Sequence, residues 1–455
     1  MDKKSNLGRD SFSSKFGVIA AAAGSAVGLG NIWKFPYITG VYGGAAFLFV
    51  YLGFIILIGL PIMLSEFMIG RKSKRNAFGA FKKLAPGTSW KFVGLLGVMA
   101  AAAILAFYGV VAGWSIDYVV RALTNSFATK SPGELESSFT KFIQSPITPV
   151  IYQLLFMLMT MAIVIVGIKK GIEKYSKILM PLLVVIIIVL DIRAVTLKGA
   201  YEGLSFLFYP DFSKLTADGI LSALGHAFFS LSLGMGTLIT YGSYIGAENN
   251  LAKTALQVTI ADTLIAILAG VAIFPAVFAF GIEPSSGPGL VFITLPNVFQ
   301  QMPGGFFFAP LFFILLTVAA LTSSISILEV AVAYLTEELN LKRKLATVLA
   351  GVFIAILGVI CSLSMGVLKD YTLFNFNFFD LLDWISANML LPLGGLFISL
   401  FIGWYMGRSK VVEELSKGSS VVGWLVSVFI FLVRFIAPSA IAIVFLNGLG
   451  LFSFG

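Results

Sequence analysis

The chain has 455 residues, 58% of them hydrophobic and 12% charged, with a formal net charge of +9. A composition this apolar excludes an ordinary soluble domain. The lone Cys361 excludes an intrachain disulfide and a cysteine metal site.

Residues 1–15 are polar and basic. The apolar stretch after them is too long for a cleavable leader and lacks a small-residue cleavage site, so it reads as a true first span. Apolar runs of about 20 residues then recur, which is the pattern of an integral membrane protein built of helices. A membrane β-barrel would show alternating segments of about ten residues instead. Eleven spans are expected, at about 16–40, 45–69, 93–122, 149–167, 176–195, 218–246, 254–282, 306–337, 345–366, 378–407 and 421–449. Two long outer loops are expected near 123–148 and 196–217. A re-entrant or amphipathic segment is expected near 284–304, where Pro284, Pro288, Pro296 and Pro303 interrupt the hydropathy.

With the N-terminus inside, the inner segments hold 22 Lys and Arg and the outer segments seven. That bias fixes the N-terminus as cytoplasmic, and an odd span count puts the C-terminus outside. The basic balance is thus one of topology and calls for no nucleic-acid partner.

The first span is broken by Gly24-Ser25-Ala26-Val27-Gly28-Leu29-Gly30-Asn31. Three glycines in seven residues oppose a stable helix. In lipid, non-helical backbone survives only where it is buried in protein or lines a site. A second break, Ser230-Leu231-Ser232-Leu233-Gly234-Met235-Gly236-Thr237, lies in the sixth span. Five spans separate the two breaks, so the broken helices run in opposite directions, as an inverted five-plus-five repeat requires. Half-helix N-termini suit a carboxylate. Freed carbonyls suit a hard cation such as Na⁺. A membrane enzyme would need a nucleophile–base pair or metal ligands at depth, and one His with one Cys argues against it. A channel would repeat polar rings across subunits, whereas here the polar groups converge within one chain.

The run from Gly24 to Tyr37, GSAVGLGNIWKFPY, closely resembles the first-helix signature of the neurotransmitter:sodium symporters. Gly43-Gly44-Ala45-Ala46-Phe47, Gly59-Leu60-Pro61 with Glu66, Gly167–Glu173 (seen as the inner loop after the fourth span), Phe229–Gly234 and Leu321-Thr322-Ser323-Ser324 extend the resemblance along the chain. It points to the bacterial amino-acid members with eleven spans. The implied fold is all-α, with a first inverted repeat at 16–195, a second at 218–407 and an eleventh helix at 421–449.

The resemblance implies two sodium sites. The first would use the carbonyl of Ala26, the side chains of Asn31, Ser230 and Asp262, and the substrate carboxylate. The second would use carbonyls of Gly24, Val27 and Ala319 with the hydroxyls of Thr322 and Ser323. The substrate carboxylate would meet the N–H groups of Leu29 and Gly30 and the Tyr108 hydroxyl. Its amine would meet carbonyls near Ala26, Phe229 and Ser230, with Ser232 nearby. Ile104, Phe229, Met235, Ser323 and Ile327 would surround an apolar or aromatic side chain, with tyrosine the favoured substrate. A charged side chain would be left unpaired there.

Gly28 stands where monoamine members carry an Asp, and so is expected to leave room for a carboxylate-bearing substrate. Tyr51, His226, Ser230 and Ala266 stand at the chloride ligands of relatives, with two ligand types changed. Asp262 replaces a neutral Asn, so transport without chloride is expected. Lys34 with Asp383 would form the outer gate. Arg9 with Glu337, and Tyr244 nearby, would form the inner one. The expected function is sodium-coupled symport of a neutral amino acid across the inner membrane, with an amino-acid sensor derived from a transporter as the alternative. No enzymatic activity and no obligate protein partner are expected.

Overall fold

The computed structural model describes residues 11–128, 130–282, 289–418 and 423–451. Among them every regular element is a helix. Eight helices are long and apolar enough to cross a bilayer, or ten if each of two bent pairs counts as one crossing. The first bent pair is Lys15–Ala26 with Gly30–Val41, at 46°. The sixth expected span is likewise split, into Ala217–Ser230 and Thr237–Gly242.

Both breaks follow from backbone chemistry. Ser14 caps the first half-helix by accepting from Gly17 N, and Val27 leaves it with extended dihedrals. In the sixth span Ser232 (φ 55°), Gly234 (φ 79°) and Gly236 (φ 76°) take the left-handed region, which L side chains adopt at a cost. Gly234 is required for a second reason: an added Cβ would lie 2.5 Å from the Leu391 carbonyl oxygen.

The long helices Lys91–Leu123 and Gly305–Glu338 pack along each other and form the spine of the larger apolar core. Helices Thr148–Val164 and Arg343–Leu363 join them, and Ile168–Val195 lies against Leu251–Ala279. The second core is built on Ala45–Ser73. Glycine lets backbones approach, as small residues do in membrane bundles: a Cβ on Gly113 would lie 2.6 Å from Gln153 N, and one on Gly242 2.8 Å from the Phe67 carbonyl oxygen.

Several expected loops contain helices. The segment 123–148, expected as an outer loop, holds Pro132–Gln144, started by a capping box in which Ser131 and Glu134 satisfy each other's N–H groups. The segment 196–217 holds Ala200–Phe208. The inner loop after the fourth span is shorter than expected, because Ile168–Glu173 is already helical and continues into the fifth. In the expected re-entrant region, residues 283–288 lie outside the described residues, and Leu290–Thr294 with Leu295–Gln301 form a short helix buried through Leu290, Val291, Phe292 and Leu295.

Candidate functional site

The two breaks meet. Asn31 Nδ2 donates to Asp262 Oδ1 (2.8 Å), to the Asp262 carbonyl (3.0 Å) and to Ser230 Oγ (3.2 Å). Ser230 Oγ donates to both Asp262 carboxylate oxygens at 3.0 Å. Gly28 N donates to Asn31 Oδ1 at 2.9 Å, which orients the amide. Asn31, Ser230 and Asp262 are each fully buried. Ala26, which ends the first half-helix, is buried as well. A buried carboxylate ringed by hydroxyl, amide and carbonyl oxygen is a donor set for a small hard cation.

Tyr51 adds its hydroxyl, 3.3 Å from Ser230 Oγ and 3.5 Å from Asp262 Oδ2. The Asp262 carboxylate therefore occupies the place to which Tyr51 and Ser230 point. His226 packs its ring at a tilt against Tyr51 (centroids 5.2 Å apart) and Phe35 (5.8 Å). Neither of its ring nitrogens has a hydrogen-bond partner among the described residues.

The second constellation lies against helix Gly305–Glu338. Ser323 Oγ lies within hydrogen-bond reach of the carbonyls of Val27 (3.0 Å), Ser25 (3.1 Å) and Gly24 (3.3 Å), any one of which can take its proton. Thr322 Oγ1 reaches Ala319 O at 2.9 Å and Val27 O at 3.3 Å. Hydroxyls in membrane helices ordinarily bond back within their own helix; Ser323 instead reaches across to the other span. The five groups expected for the second sodium are thus together, with the Ser25 carbonyl as an unforeseen sixth. That carbonyl also accepts from Ser232 Oγ at 2.8 Å, which joins the two breaks.

Leu29 N donates to Tyr108 Oη at 3.1 Å. Gly30 packs on Phe229, where an added Cβ would sit 3.3 Å from the ring. Leu29, Ile104, Tyr108, Met235 and Ile327 share one buried apolar cluster, with Phe229 packed against it. Gly28 lies close to two hydroxyls. A Cβ there would overlap Ser323 Oγ and lie 2.7 Å from Tyr108 Oη. The glycine thus leaves room for the Ser323 hydroxyl and for the Tyr108 hydroxyl expected to meet the substrate carboxylate.

At the expected outer gate Lys34 Nζ lies 3.5 Å from Asp383 Oδ1 and 4.6 Å from the Phe229 ring centroid. Above them an open cavity of about 340 Å³ is lined by Lys34, Tyr42, Asp218, His226 and Asn388. The expected inner gate is described only in part. Arg9 lies outside the described residues. Tyr244 gives its hydroxyl to Glu329 Oε1 at 2.7 Å, two turns before Glu337, and Arg343 Nη2 pairs with Glu329 Oε2 at 2.6 Å. Glu337 accepts from Asn76 N and Nδ2 at 3.0 and 3.1 Å. Close by, Ser13 donates from its N–H (2.7 Å) and hydroxyl (2.6 Å) to Glu173, which also pairs with Lys177 at 2.5 Å.

Sequence reading named Glu66 only as part of a motif. Its Oε1 accepts from Gly234 N at 2.7 Å, so the buried carboxylate holds an N–H that the second break leaves free.

The comparisons with known proteins agree with this geometry. The profile of the Sodium:neurotransmitter symporter family matches residues 9–137 and 134–453. An uncharacterized sodium-dependent transporter of Bacillus subtilis, YhdH, is 42% identical over 443 residues, covering 97% of this chain and 98% of that protein. An uncharacterized sodium-dependent transporter of Haemophilus influenzae is 39% identical over 455 residues, covering 98% of this chain and 99% of that protein. Among solved structures, MhsT in complex with L-phenylalanine superposes with a TM-score of 0.90 at 50% identity, covering 97% of this chain and all of that one. The chain therefore belongs to the Sodium:neurotransmitter symporter family.

Proposed function

We propose that this chain is a symporter that carries a neutral, apolar or aromatic L-amino acid together with Na⁺ by alternating access, with tyrosine the favoured substrate. The observation that carries the reading is the convergence of Asn31, Ser230 and Asp262 where the two broken spans meet. One sodium would bind there with the Ala26 carbonyl and the substrate carboxylate. A second would bind among the carbonyls of Gly24, Val27 and Ala319 and the hydroxyls of Thr322 and Ser323. The solved relative's bound L-phenylalanine supports an apolar side-chain pocket.

The chain's own residues have distinct tasks. Tyr108 Oη and the N–H groups of Leu29 and Gly30 would hold the substrate carboxylate. Carbonyls near Ala26, Phe229 and Ser230 would take its amine, with Ser232 alongside, and Ile104, Phe229, Met235, Ser323 and Ile327 its side chain. Because the carboxylate completes the first sodium site, each ligand must raise the affinity for the other by the same factor. Asp262 would supply the fixed negative charge, so transport needs no chloride. Lys34 with Asp383 would close the outside, and Arg9 with Glu337 the inside. Tyr244 would work through Glu329 and Arg343. We further place eleven crossings in the inner membrane, in two inverted repeats (16–195 and 218–407) and a last helix (421–449), with the N-terminus cytoplasmic and the C-terminus outside.

The test is Na⁺-dependent binding of labelled L-phenylalanine to purified protein, competed by all twenty amino acids. Competition by tyrosine, tryptophan, phenylalanine or leucine is expected; competition by none of these overturns the pocket. Counterflow of the label in proteoliposomes is expected of a transporter, and binding without counterflow identifies a sensor.

A further inference from the structure

A second feature lies away from the breaks, on the outer wall of the bundle. A groove of about 490 Å³ runs between the start of helix Lys91–Leu123 and helix Phe378–Met406. Its walls are apolar: Phe92, Leu96, Leu393 and Phe397. Phe92 is 56% exposed and Phe397 37%. Thr88 and Ser89 line it as well, just before the helix begins. Leu96 lies five residues beyond Lys91, about 7.5 Å along the helix axis. The groove therefore grades from hydroxyls to hydrocarbon along its length.

The basic residues that precede it in sequence differ in how they are used. Lys82 pairs with Glu338 at 3.2 Å, Lys83 donates to the Ser73 carbonyl at 2.9 Å, and Lys72 pairs with Glu413 at 3.0 Å. Lys91 meets no carboxylate among the described residues; its ammonium rests 5.3 Å from the Phe92 ring centroid. An ammonium with no anion, beside the Phe92 ring that lines an apolar groove, complements a molecule with an anionic head and a hydrocarbon tail. In the orientation proposed above, the hydroxyl end of the groove faces the cytoplasmic leaflet, where anionic lipids attract basic residues near the surface.

We infer that the groove is a binding site for one anionic phospholipid, with its phosphate on Lys91 and an acyl chain lying along Phe92, Leu96, Leu393 and Phe397. Lysine suits this role as a point charge on a long stem that can lie on apolar surface while its head reaches the interface.

The test uses the full chain purified in detergent and titrated with phosphatidylglycerol and with phosphatidylcholine of the same acyl chains, bound lipid being counted by native mass spectrometry. Phosphatidylglycerol should bind about fivefold more tightly, the factor expected from one lysine near an anionic surface. Lys91→Gln should remove that preference, and Lys91→Arg should keep it with unchanged thermal stability. Leu96→Trp, which fills the groove, should weaken both lipids. Equal binding of the two lipids overturns the site, as does a preference that survives Lys91→Gln. Competition by glycerol phosphate with no effect of Leu96→Trp identifies a soluble-phosphate site instead. A crosslink between two copies across Phe397 identifies a protein interface, and that too overturns the proposal.

Discussion

Asn31 Nδ2 lies 2.8 Å from Asp262 Oδ1, so a residue of the first broken span is tied to a carboxylate carried by helix Leu251–Ala279. The amide's own oxygen is held by Gly28 N. The broken backbone thus fixes the amide, and the amide fixes the carboxylate. Replacing Asp262 by Asn keeps the shape and removes the charge. The Na⁺ concentration for half-maximal amino-acid binding should rise at least tenfold, consistent with the about 1.5–3 kcal/mol of a hydrogen bond to a charged group. In the unmodified chain, replacing chloride by gluconate should leave uptake unchanged. Uptake abolished by gluconate would assign the negative charge to chloride rather than to Asp262.

Tyr108 offers one hydroxyl to Leu29 N at 3.1 Å and lies close to the Gly28 backbone. Tyr108→Phe should weaken amino-acid binding by about 1–3 kcal/mol, with little change in thermal stability, as equilibrium binding will report. Unchanged affinity would remove the hydroxyl from the site.

Gly28→Ala and Gly24→Ala form a graded pair. The added Cβ overlaps Ser323 Oγ in the first but lies 3.3 Å from Thr322 Cβ in the second. Overpacking costs about 1–3 kcal/mol. Gly28→Ala should abolish Na⁺-dependent binding, and Gly24→Ala should retain a measurable fraction of it. The reverse order would mean that Ser323 and Tyr108 yield more readily than Thr322.

Arg71 is buried against Glu414, with Nε 2.5 Å from Oε1, and its Nη1 also donates to the Asn249 carbonyl at 2.6 Å. Arg71→Ala leaves the buried Glu414 with Lys417 alone, 2.7 Å from its Oε2, and should cost up to about 3–5 kcal/mol, whereas Arg71→Met with Glu414→Leu should be close to neutral. Thermal unfolding in detergent measures both. A double variant no better than the single one would show that the Asn249 contact dominates.

Much of the site is legible in the residues because lipid penalises unsatisfied backbone. Glycine clusters at 24–30 and 234–236 stand out against apolar surroundings, and Asp262 is a lone carboxylate within a span. Lys34 and Asp383 form the ion pair the sequence suggests. Contacts made by the main chain are another matter. The Ser25 carbonyl joins the two breaks, yet any residue could supply it, so no side chain announces it. Glu329 and Glu337 are eight residues apart, about 2.2 helical turns, so they project about 80° from each other, and periodicity alone does not say which one Tyr244 meets. Helix Pro132–Gln144 did have a signal: Ser131-Pro132-Gly133-Glu134 reads as a capping box with Pro at the first helical position. Composition, dominated there by serine and charge, masked it.

The Arg71–Glu414 pair spans 343 residues of sequence. During synthesis at about 5–20 residues per second, the arginine emerges roughly 17–70 seconds before its partner exists. For that interval the second span carries an unneutralised guanidinium at its end. Early insertion must therefore leave this part of the bundle unfinished. The helix Arg408–Leu415, which looks like a minor connector, is what lets the first-made spans reach their final arrangement, so chains stopped short of residue 414 should be handed to quality control whatever their transport residues.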